Sequence, residues 1–204
     1  MAATESTTPE QVILVDKEDN KIGIAEKLLA HQNNLLHRAF SIFIFRAVES
    51  KVDEGSELEL LMQQRALHKY HSGGLWTNTC CSHPRPDENI IDAANRRLKE
   101  EIGITTPLKV LNYFYYNAYF ANGLFEHEID HVIVGKINAH DRIAPNPEEV
   151  HAYRWITIDD LEFELERKSH LFTPWFKQAW DIARGYLFPS PLPLSRLSGE
   201  GNNS

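Results

Sequence analysis

The feature that most constrains the fold of this chain is the excess of strand-like segments over helical ones. β-Branched, aromatic or alternating apolar residues predict strands at residues 12–15, 39–47, 57–65, 110–120, 126–137 and 153–158. The clearest amphipathic helix covers residues 90–102 and ends at Gly103, and another is predicted at residues 175–186. Asp159-Asp160 is expected to cap a short helix. This pattern predicts an α+β domain with a mixed β-sheet.

Length and composition set the domain organisation that we expect. With 204 residues, the chain suits one hydrophobic core. We expect a flexible tail at residues 1–10, one domain at residues 11–187, and a disordered tail at residues 188–204, which are rich in Pro, Ser, Gly and Asn. The sequence shows no apolar stripe that would mark an interface, so we expect a monomer.

Charge and cysteine content argue against several classes of function. A formal net charge of −8 disfavours nucleic-acid binding, although a local basic patch can still hold a small phosphorylated molecule. The polar first residues do not resemble a signal peptide, and no stretch approaches the ~18 apolar residues of a membrane span. The two cysteines are adjacent and form no disulfide framework. A cytoplasmic protein without membrane or nucleic-acid partners is expected.

The richest chemistry lies between residues 76 and 103. The run Trp-Thr-Asn-Thr-Cys-Cys-Ser-His-Pro at residues 76–84 is followed by Glu88 and by a helix that carries several carboxylates. A thiol can give or take a proton, an imidazole can bind a metal, and carboxylates can hold Mg²⁺ against a phosphate. Few structural requirements place all three in so short a segment.

The helix at residues 90–102 presents its carboxylates to different surroundings. On a helical wheel, the apolar residues that fall within about 40° of the stripe's centre are Ile91, Ala94, Leu98 and Ile102. Glu101 lies about 60° from that centre, beside Arg97 at i, i+4 spacing, whereas Glu100 faces water. Glu101 is therefore the carboxylate best placed to face a cleft between helix and sheet. An amphipathic surface helix with an Arg–Glu pair is the simpler alternative.

The spacing of these residues resembles a Nudix box. The segment reads Ser82-x5-Glu88-x7-Arg96-Arg97-Leu98-x-Glu100-Glu101-x-Gly103-Ile104, against the pattern G-x5-E-x7-R-E-U-x-E-E-x-G-U, where U is bulky and aliphatic. Every spacing fits, but Ser82 replaces the first Gly and Arg97 replaces a Glu with which Nudix hydrolases gather metal ions. The resemblance implies a Nudix-type fold, with a mixed β-sheet sandwiched by helices, and diphosphate binding. Arg97 argues against hydrolysis.

Combined with the Thr-Asn-x-x-Cys-x-His-Pro run, this altered box resembles type 1 isopentenyl-diphosphate Δ-isomerase. The resemblance covers roughly residues 11–185. It implies an enzyme of isoprenoid biosynthesis that interconverts isopentenyl diphosphate and dimethylallyl diphosphate. A proton adds at C4, a tertiary cation forms at C3, and a proton leaves C2. Two proton-handling groups on opposite faces of the substrate are needed, in a pocket that excludes water.

The resemblance assigns these roles to particular residues. Cys81, two residues before His83, matches the proton-handling cysteine, although a free cysteine is usually a small core residue. Glu128 and Tyr116 match the catalytic glutamate and its neighbouring tyrosine on the opposite face, with core packing as the alternative for Tyr116. Trp175 matches a tryptophan of the isoprenoid pocket, where an aromatic ring can stabilise a cation; its alternative is a core anchor.

A divalent-metal site is implied as well, formed by His31, His37, His83, Glu126 and Glu128. Glu126 and Glu128 are two residues apart on a predicted strand, so both project to one face while His127 points the other way. This set suits Zn²⁺, Mn²⁺ or Mg²⁺. A solvated strand face is the alternative for the two glutamates. The remaining histidines, at residues 68, 71, 127, 131, 140, 151 and 170, are interpreted as surface or packing residues.

Lys27, Arg65 and Lys69 match the family's diphosphate-binding positions, and Glu101 matches a ligand of a Mg²⁺ ion that bridges the phosphates. Isolated surface charges are the alternative for each lysine and arginine. Two other functions stay open from the sequence: a Nudix hydrolase of a nucleoside diphosphate derivative, and a non-enzymatic Nudix module that senses a phosphorylated ligand. Retention of Cys81 and His83 argues against the sensor.

Overall fold

A mixed β-sheet between helices forms the body of the protein. The computed structural model describes residues 9–49 and 56–188. The tails predicted at residues 1–10 and 188–204 lie almost wholly outside these residues. Within the described residues, nine strands form one sheet and four α-helices flank it. No helix of this part of the chain is both long and apolar enough to cross a membrane.

The predicted elements are all present, with ends that agree to within about three residues. The strands are β1 (Gln11–Val15), β2 (Lys21–Glu26), β3 (His37–Glu49), β4 (Ser56–Arg65), β5 (Trp76–Thr77), β6 (Cys80–Ser82), β7 (Leu108–Tyr119), β8 (Phe125–Lys136) and β9 (Val150–Thr157). The helices are α1 (Lys27–Gln32), α2 (Ile90–Ile102), α3 (Ile158–Lys168) and α4 (Phe176–Leu187), and a 3₁₀ turn covers Ser169–Leu171. The sequence pattern did not predict β2, β5, β6 or α1.

Strand β3 is the hub of the sheet. It pairs antiparallel with β1, β4 and β6, and parallel with β8. The sheet is extended by β2 on β1, by β5 and β9 on β4, and by β7 on β8. This pairing confirms the predicted mixed sheet. It also places Glu128 of β8 between His37 of β3 and Tyr116 of β7 in the ladder register.

Hydrophobic clusters cover both faces of the sheet. On one face, α3 and α4 pack over β3, and the ring of Trp180 lies 6.0 Å from that of Phe43. On the other face, Leu98 of α2 packs in a cluster with Ile42. Successive residues of β3 therefore enter opposite cores, which explains why this strand is a continuous apolar run rather than an alternating one.

Helix α2 has the start and end that its sequence predicts. The side chain of Asn89 accepts hydrogen bonds from the backbone N–H groups of Ile91 and Asp92. Gly103 follows the last turn with φ of 78°. A Cβ at this position would lie 2.7 Å from the carbonyl oxygen of Ala144. Glycine is thus required for both its conformation and its small size.

The N-cap of α3 differs from the prediction. Asp159-Asp160 is not the cap, because the capping side chain is that of Thr157, whose hydroxyl oxygen accepts a hydrogen bond from the N–H of Asp160 at 3.1 Å. The two aspartates occupy the first turn instead, where their charges interact favourably with the helix dipole.

Leu98→Ala is expected to lower the free energy of unfolding by about 2–5 kcal/mol. Leu98 is fully buried with Ala94 and Ile102 of the predicted stripe, so truncation leaves a cavity beneath α2. Denaturant unfolding followed by circular dichroism measures the change. Lys99→Ala, on the exposed face of the same helix, is the control and should stay within about 0.5 kcal/mol of the wild type. Equal stability of the two variants would contradict this packing.

Candidate active site

A cleft with about 650 Å³ of empty space, part of it open to solvent, collects most of the predicted site residues. Its walls come from β3, β4, β6, β8, α2 and the loop at residues 66–75. The predicted site residues that line it are Lys27, Arg65, Lys69, Cys81, His83, Glu101, Glu126, Glu128 and Trp175. The other three, His31, His37 and Tyr116, are buried, with exposed fractions of 1%, 0% and 7%.

The five residues of the predicted metal site converge at this cleft, and three of them belong to its lining. His31, His37, His83, Glu126 and Glu128 are all buried, and each offers one ligand atom within 4.8 Å of the others. The Nε2 atoms of His37 and His83 lie 3.5 and 2.9 Å from the Oε1 atom of Glu128. The five residues come from α1, β3, β8 and the segment after β6, so the fold rather than the local sequence brings them together.

The unpaired atoms of this cluster fit a cation. Among the described residues, His31 Nε2, His37 Nε2 and Glu126 Oε2 are buried without a hydrogen-bond partner, which is unusual for buried polar atoms. The Nδ1 atoms of His31 and His37 contact the carbonyl oxygens of Lys27 and Leu35 at 2.7 and 2.8 Å. Because a carbonyl only accepts, Nδ1 carries the proton and Nε2 presents a lone pair. The cluster is therefore compatible with a divalent metal.

Burial keeps two of the imidazoles, those of His37 and His83, neutral, as metal ligands must be. Removal from water lowers the pKa of His37 to about 4, and the neighbouring His31 acts in the same direction. Burial likewise holds the pKa of His83 well below its usual value, with Lys27 as the next cause. At pH 7 both rings are uncharged.

The two strand glutamates titrate in opposite directions. Burial on its own would raise the pKa of Glu126, but the neighbouring imidazoles of His31 and His71 hold it well below its usual value. Burial and the charge of Glu126 raise the pKa of Glu128 well above its usual value. The surroundings of Glu128 therefore favour its protonated form, which makes Glu128 a candidate proton donor.

Cys81 presents a protonated thiol to the cleft. On β6 it faces the opposite way from Cys80, which is fully buried in the core beneath α2. The Cys81 S–H donates to Asn78 Oδ1 at 3.0 Å, and the indole N–H of Trp175 donates to the sulfur at 3.3 Å. Burial raises the pKa of Cys81 to about 11, and the charge of Asp130 adds to the effect. Directed hydrogen bonds thus hold the sulfur in place.

Tyr116 lies between the five residues of the predicted metal site and the ring of Trp175, which belongs to the aromatic wall of the cleft. It is the ladder partner of Glu128, and its ring lies 6.3 Å from that of Trp175. Burial and the charge of Glu126 raise the pKa of its phenol. The buried hydroxyl has no hydrogen-bond partner among the described residues. A protonated phenol is therefore available beside Glu128.

Sequence reasoning did not assign Ser41 and Asp130, which join the cysteine to β8. The Ser41 hydroxyl donates to Asp130 Oδ2 at 2.8 Å and lies 3.5 Å from the sulfur of Cys81. Burial raises the pKa of Asp130 to about 7. Asp130 continues the alternation of Glu126 and Glu128 on β8, a signal that was available in the sequence. Ser41 lies within an apolar run and gave no such signal.

Four cations surround the cleft, three of them predicted. Lys27 Nζ lies 3.0 Å from Glu10 Oε2, and Lys69 pairs with Glu149. The Arg65 guanidinium lies 5.4 Å from the centre of the Trp175 ring. Arg97, which the sequence analysis did not assign to substrate binding, is the fourth cation of the lining. The basic end of the cleft therefore holds one more cation than predicted, although Lys69 and Arg97 both pair with carboxylates of the lining.

The altered Nudix box gives this end its particular charge pattern. Glu101 faces the cleft as predicted, where it accepts from Arg97 Nη2 at 2.5 Å and from Gln63 Nε2 at 3.1 Å. Glu88 and Arg96 form a two-point ion pair with both distances at 2.7 Å, away from the cleft lining. A guanidinium thus stands where the box pattern has a carboxylate, which favours an anion over an additional metal ion.

Two histidines outside the predicted site, His127 and His71, show where strand alternation predicts the direction of a side chain and where it does not. His127 points away from the metal cluster, as predicted, and contacts Tyr115 Oη and the carbonyl of Asn34 at 2.9 and 2.7 Å. His71, interpreted from the sequence as a surface or packing residue, instead lines the cleft. Its Nε2 lies 2.6 Å from Glu126 Oε1. His71 belongs to a loop, where the spacing of residues does not predict the direction of a side chain.

Comparison with known proteins identifies the family of this chain. The NUDIX domain family model matches residues 35–176. An isopentenyl-diphosphate Delta-isomerase from Burkholderia multivorans is 48% identical over 167 residues, covering 82% of this chain and 89% of that protein. The isopentenyl-diphosphate Delta-isomerase 2 of Aromatoleum aromaticum is 45% identical over 172 residues, covering 84% and 85%.

Solved structures give the same fold at much lower identity. A Nudix hydrolase from M. smegmatis superposes with a TM-score of 0.53 at 16% identity, covering 89% of this chain and 97% of that one. A protein from Deinococcus radiodurans superposes with a TM-score of 0.61 at 14% identity, covering 85% and 99%. These likenesses concern the fold alone. The family model and the sequence relatives show that the chain belongs to the NUDIX domain family and, within it, to the isopentenyl-diphosphate Δ-isomerases.

Proposed function

We propose that this protein is an isopentenyl-diphosphate Δ-isomerase that interconverts isopentenyl diphosphate and dimethylallyl diphosphate. The observation that carries the proposal is one cleft lined by Cys81, whose thiol is oriented by hydrogen bonds, and by the buried carboxylic acid Glu128. The chain is also 45–48% identical to isomerases of that name. An allylic shift needs such a pair, because one proton enters and another leaves on different carbons.

In the proposed reaction, Cys81 and Glu128 act on opposite faces of the five-carbon chain. One group adds a proton at C4, the C3 carbon becomes a tertiary cation, and the other group removes a proton from C2. Since the reaction is reversible, the donor in one direction is the acceptor in the other. Tyr116, ladder partner of Glu128, is placed to relay the proton between the carboxyl group and the substrate.

The residues that would hold a divalent metal are His31, His37, His83, Glu126 and Glu128. Zn²⁺, Mn²⁺ or Mg²⁺ suits this donor set, and a cation there would lower the pKa of Glu128 and make it a stronger acid. The role of this chain's own residues is to keep the glutamate away from water and to direct it toward the substrate.

The diphosphate would occupy the basic end of the cleft. Lys27, Arg65, Lys69 and Arg97 line it, and Glu101 would hold a Mg²⁺ ion, which would neutralise part of the diphosphate charge. Substrate would then displace the carboxylates that pair with Lys69 and Lys27 in this structure. Fixing the charged end of the substrate orients its alkene between thiol and acid, which converts remote binding energy into rate.

The aromatic wall would protect the intermediate. Trp175 is 4% exposed, and its ring and that of Tyr116 lie beside the reacting groups. A π-face attracts a desolvated cation by about 2 kcal/mol. A dry wall also denies water access to the tertiary carbon.

The proposal also covers partners and location. It includes a small-molecule substrate, a monomer, a cytoplasmic location and no nucleic-acid or membrane partners. The net charge of −8 and the two free cysteines support it.

Incubation with isopentenyl diphosphate in D₂O tests this function. We expect deuterium to enter the product, measured by NMR, and we expect a chelator to abolish the exchange and excess divalent metal to restore it. Mg²⁺ with a panel of nucleoside diphosphate derivatives is the control, and no phosphate or monophosphate release is expected, because Arg97 replaces a metal-binding carboxylate. Nucleotide cleavage without deuterium exchange would overturn the proposal in favour of a hydrolase.

A further inference from the structure

His71 makes the shortest histidine contact of the metal cluster without being one of its five converging residues. Its Nε2 lies 2.6 Å from Glu126 Oε1, and the two side chains are 4% and 5% exposed. An ionised carboxylate only accepts hydrogen bonds, so Nε2 carries the proton and donates it. A buried charge-assisted hydrogen bond of this length is strong and directional.

This contact divides the two oxygens of Glu126 between two tasks. Oε1 is occupied by His71, whereas Oε2 is buried without a hydrogen-bond partner among the described residues. Oε2 also lies 3.5 Å from the Nε2 atom of His31, inside the converging group. A carboxylate held in this way presents a single oxygen toward a cation.

The ring of His71 is itself held in place by aromatic neighbours. It stacks on Phe120 with centroids 4.8 Å apart and an angle of 26° between the planes. Tyr70 meets it edge-on at 4.7 Å, and Trp175 does so at 6.0 Å. The imidazole therefore cannot turn freely away from Glu126.

The loop that carries His71 is equally constrained. At Gly73, a Cβ would lie 2.7 Å from the carbonyl oxygen of Leu67, so the chain closes on itself there. Gly74 follows with φ of 78°. The Asn122 side chain donates to the carbonyl of Tyr70 at 2.6 Å and ties the loop to the β7–β8 turn. The position of the imidazole is thus built into the fold.

We propose that His71 is a positioning residue that orients Glu126 for one-oxygen coordination of the divalent metal. The inference rests on the metal site of the proposed function, and it adds a residue that acts through Glu126 rather than on substrate. Partners that fix a ligating carboxylate typically contribute 10–100-fold to metal affinity. His71 also adjoins Trp175, so the metal cluster and the substrate wall share this side chain.

Metal affinity of the purified full chain tests the role. Chelator-treated protein is titrated with Zn²⁺ against a chromophoric chelator, and with Co²⁺ for its absorption spectrum. His71→Phe keeps a stacking ring but removes the donor, and should weaken Zn²⁺ binding by about 10–100-fold. His71→Gln supplies an N–H donor and should recover most of that loss with unchanged Co²⁺ bands. His68→Phe, an exposed histidine of the same loop, should bind like the wild type.

Each outcome decides between explanations. Wild-type affinity in His71→Phe would overturn the role. Equal losses of Zn²⁺ affinity in His71→Phe and His71→Gln would show that the effect comes from ring packing. Shifted Co²⁺ bands in His71→Gln would show that His71 is a direct ligand. Either result would overturn the proposal. Circular dichroism of the metal-free variants controls for folding. Failure of the wild type to bind either metal would instead refute the metal site of the proposed function, and this role with it.

Discussion

Cys81→Ser is expected to reduce kcat by at least about 10²–10⁴-fold, the range typical for loss of a general acid or base. A serine hydroxyl has nearly the shape of the thiol but is a far weaker acid, so it fills the position without exchanging the proton. Asn78 and Trp175 would still hold the new side chain, because both contacts are made to the atom at the Sγ position. Turnover of isopentenyl diphosphate in D₂O, followed by NMR, gives the rate.

The neighbouring cysteine provides a matched control for this substitution. Cys80 lies on the same strand but is fully buried against α2, so Cys80→Ala should cost stability while it leaves deuterium exchange close to the wild-type rate. KM of Cys81→Ser should change little, because the cations that bind diphosphate are untouched. Wild-type turnover in Cys81→Ser, or a loss confined to KM, would contradict a proton-transfer role for this residue.

Glu128→Gln is expected to cause the second large loss, again by at least about 10²–10⁴-fold in kcat. The amide is isosteric but has no proton to give at neutral pH. The change also removes one carboxylate ligand, so Zn²⁺ affinity should fall in the same variant. NMR turnover and chelator competition measure the two effects separately, and restoration of metal by excess Zn²⁺ should not restore the rate.

His127→Asn is the control for Glu128→Gln. His127 is the adjacent residue of β8 but faces away from the cluster, where it contacts Tyr115 and Asn34. Its loss should leave both turnover and metal affinity close to those of the wild type. Full recovery of Glu128→Gln activity at saturating Zn²⁺ would show that the glutamate serves only as a ligand and not as a proton carrier.

Periodicity predicted those elements whose burial follows a simple repeat. Helix α2 has a clear apolar stripe, a capping residue and a terminal glycine, so its bounds agree with the structure. Strands β5 and β6 have only two and three residues, too few for any pattern, and tertiary pairing with β4 and β3 defines them. The polar segment that forms β2 and α1 gave no clear signal, because its fold depends on β1 and on contacts made elsewhere.

The candidate site was predictable only where a local pattern or a family resemblance carried it. Alternation placed Glu126 and Glu128 on one face of β8, and the helical wheel placed Glu101 toward the cleft. Neither the alternation nor the helical wheel could indicate that His31 meets Glu126, because chain folding brings these two residues together from distant positions. Only the family resemblance grouped them. His71 escaped prediction for a further reason: its loop conformation depends on glycines and on packing against Phe120, and residue spacing encodes neither.

The ladder that aligns His37, Glu128 and Tyr116 across three neighbouring strands has a consequence for how such a protein can diverge. A single insertion or deletion inside β8 would invert every side chain beyond it and dismantle the acid side of the site at once. Changes of residue number should therefore be tolerated in the connecting segments and at the irregularity of β7 between Val110 and Tyr113, but not between Glu126 and Asp130 of β8.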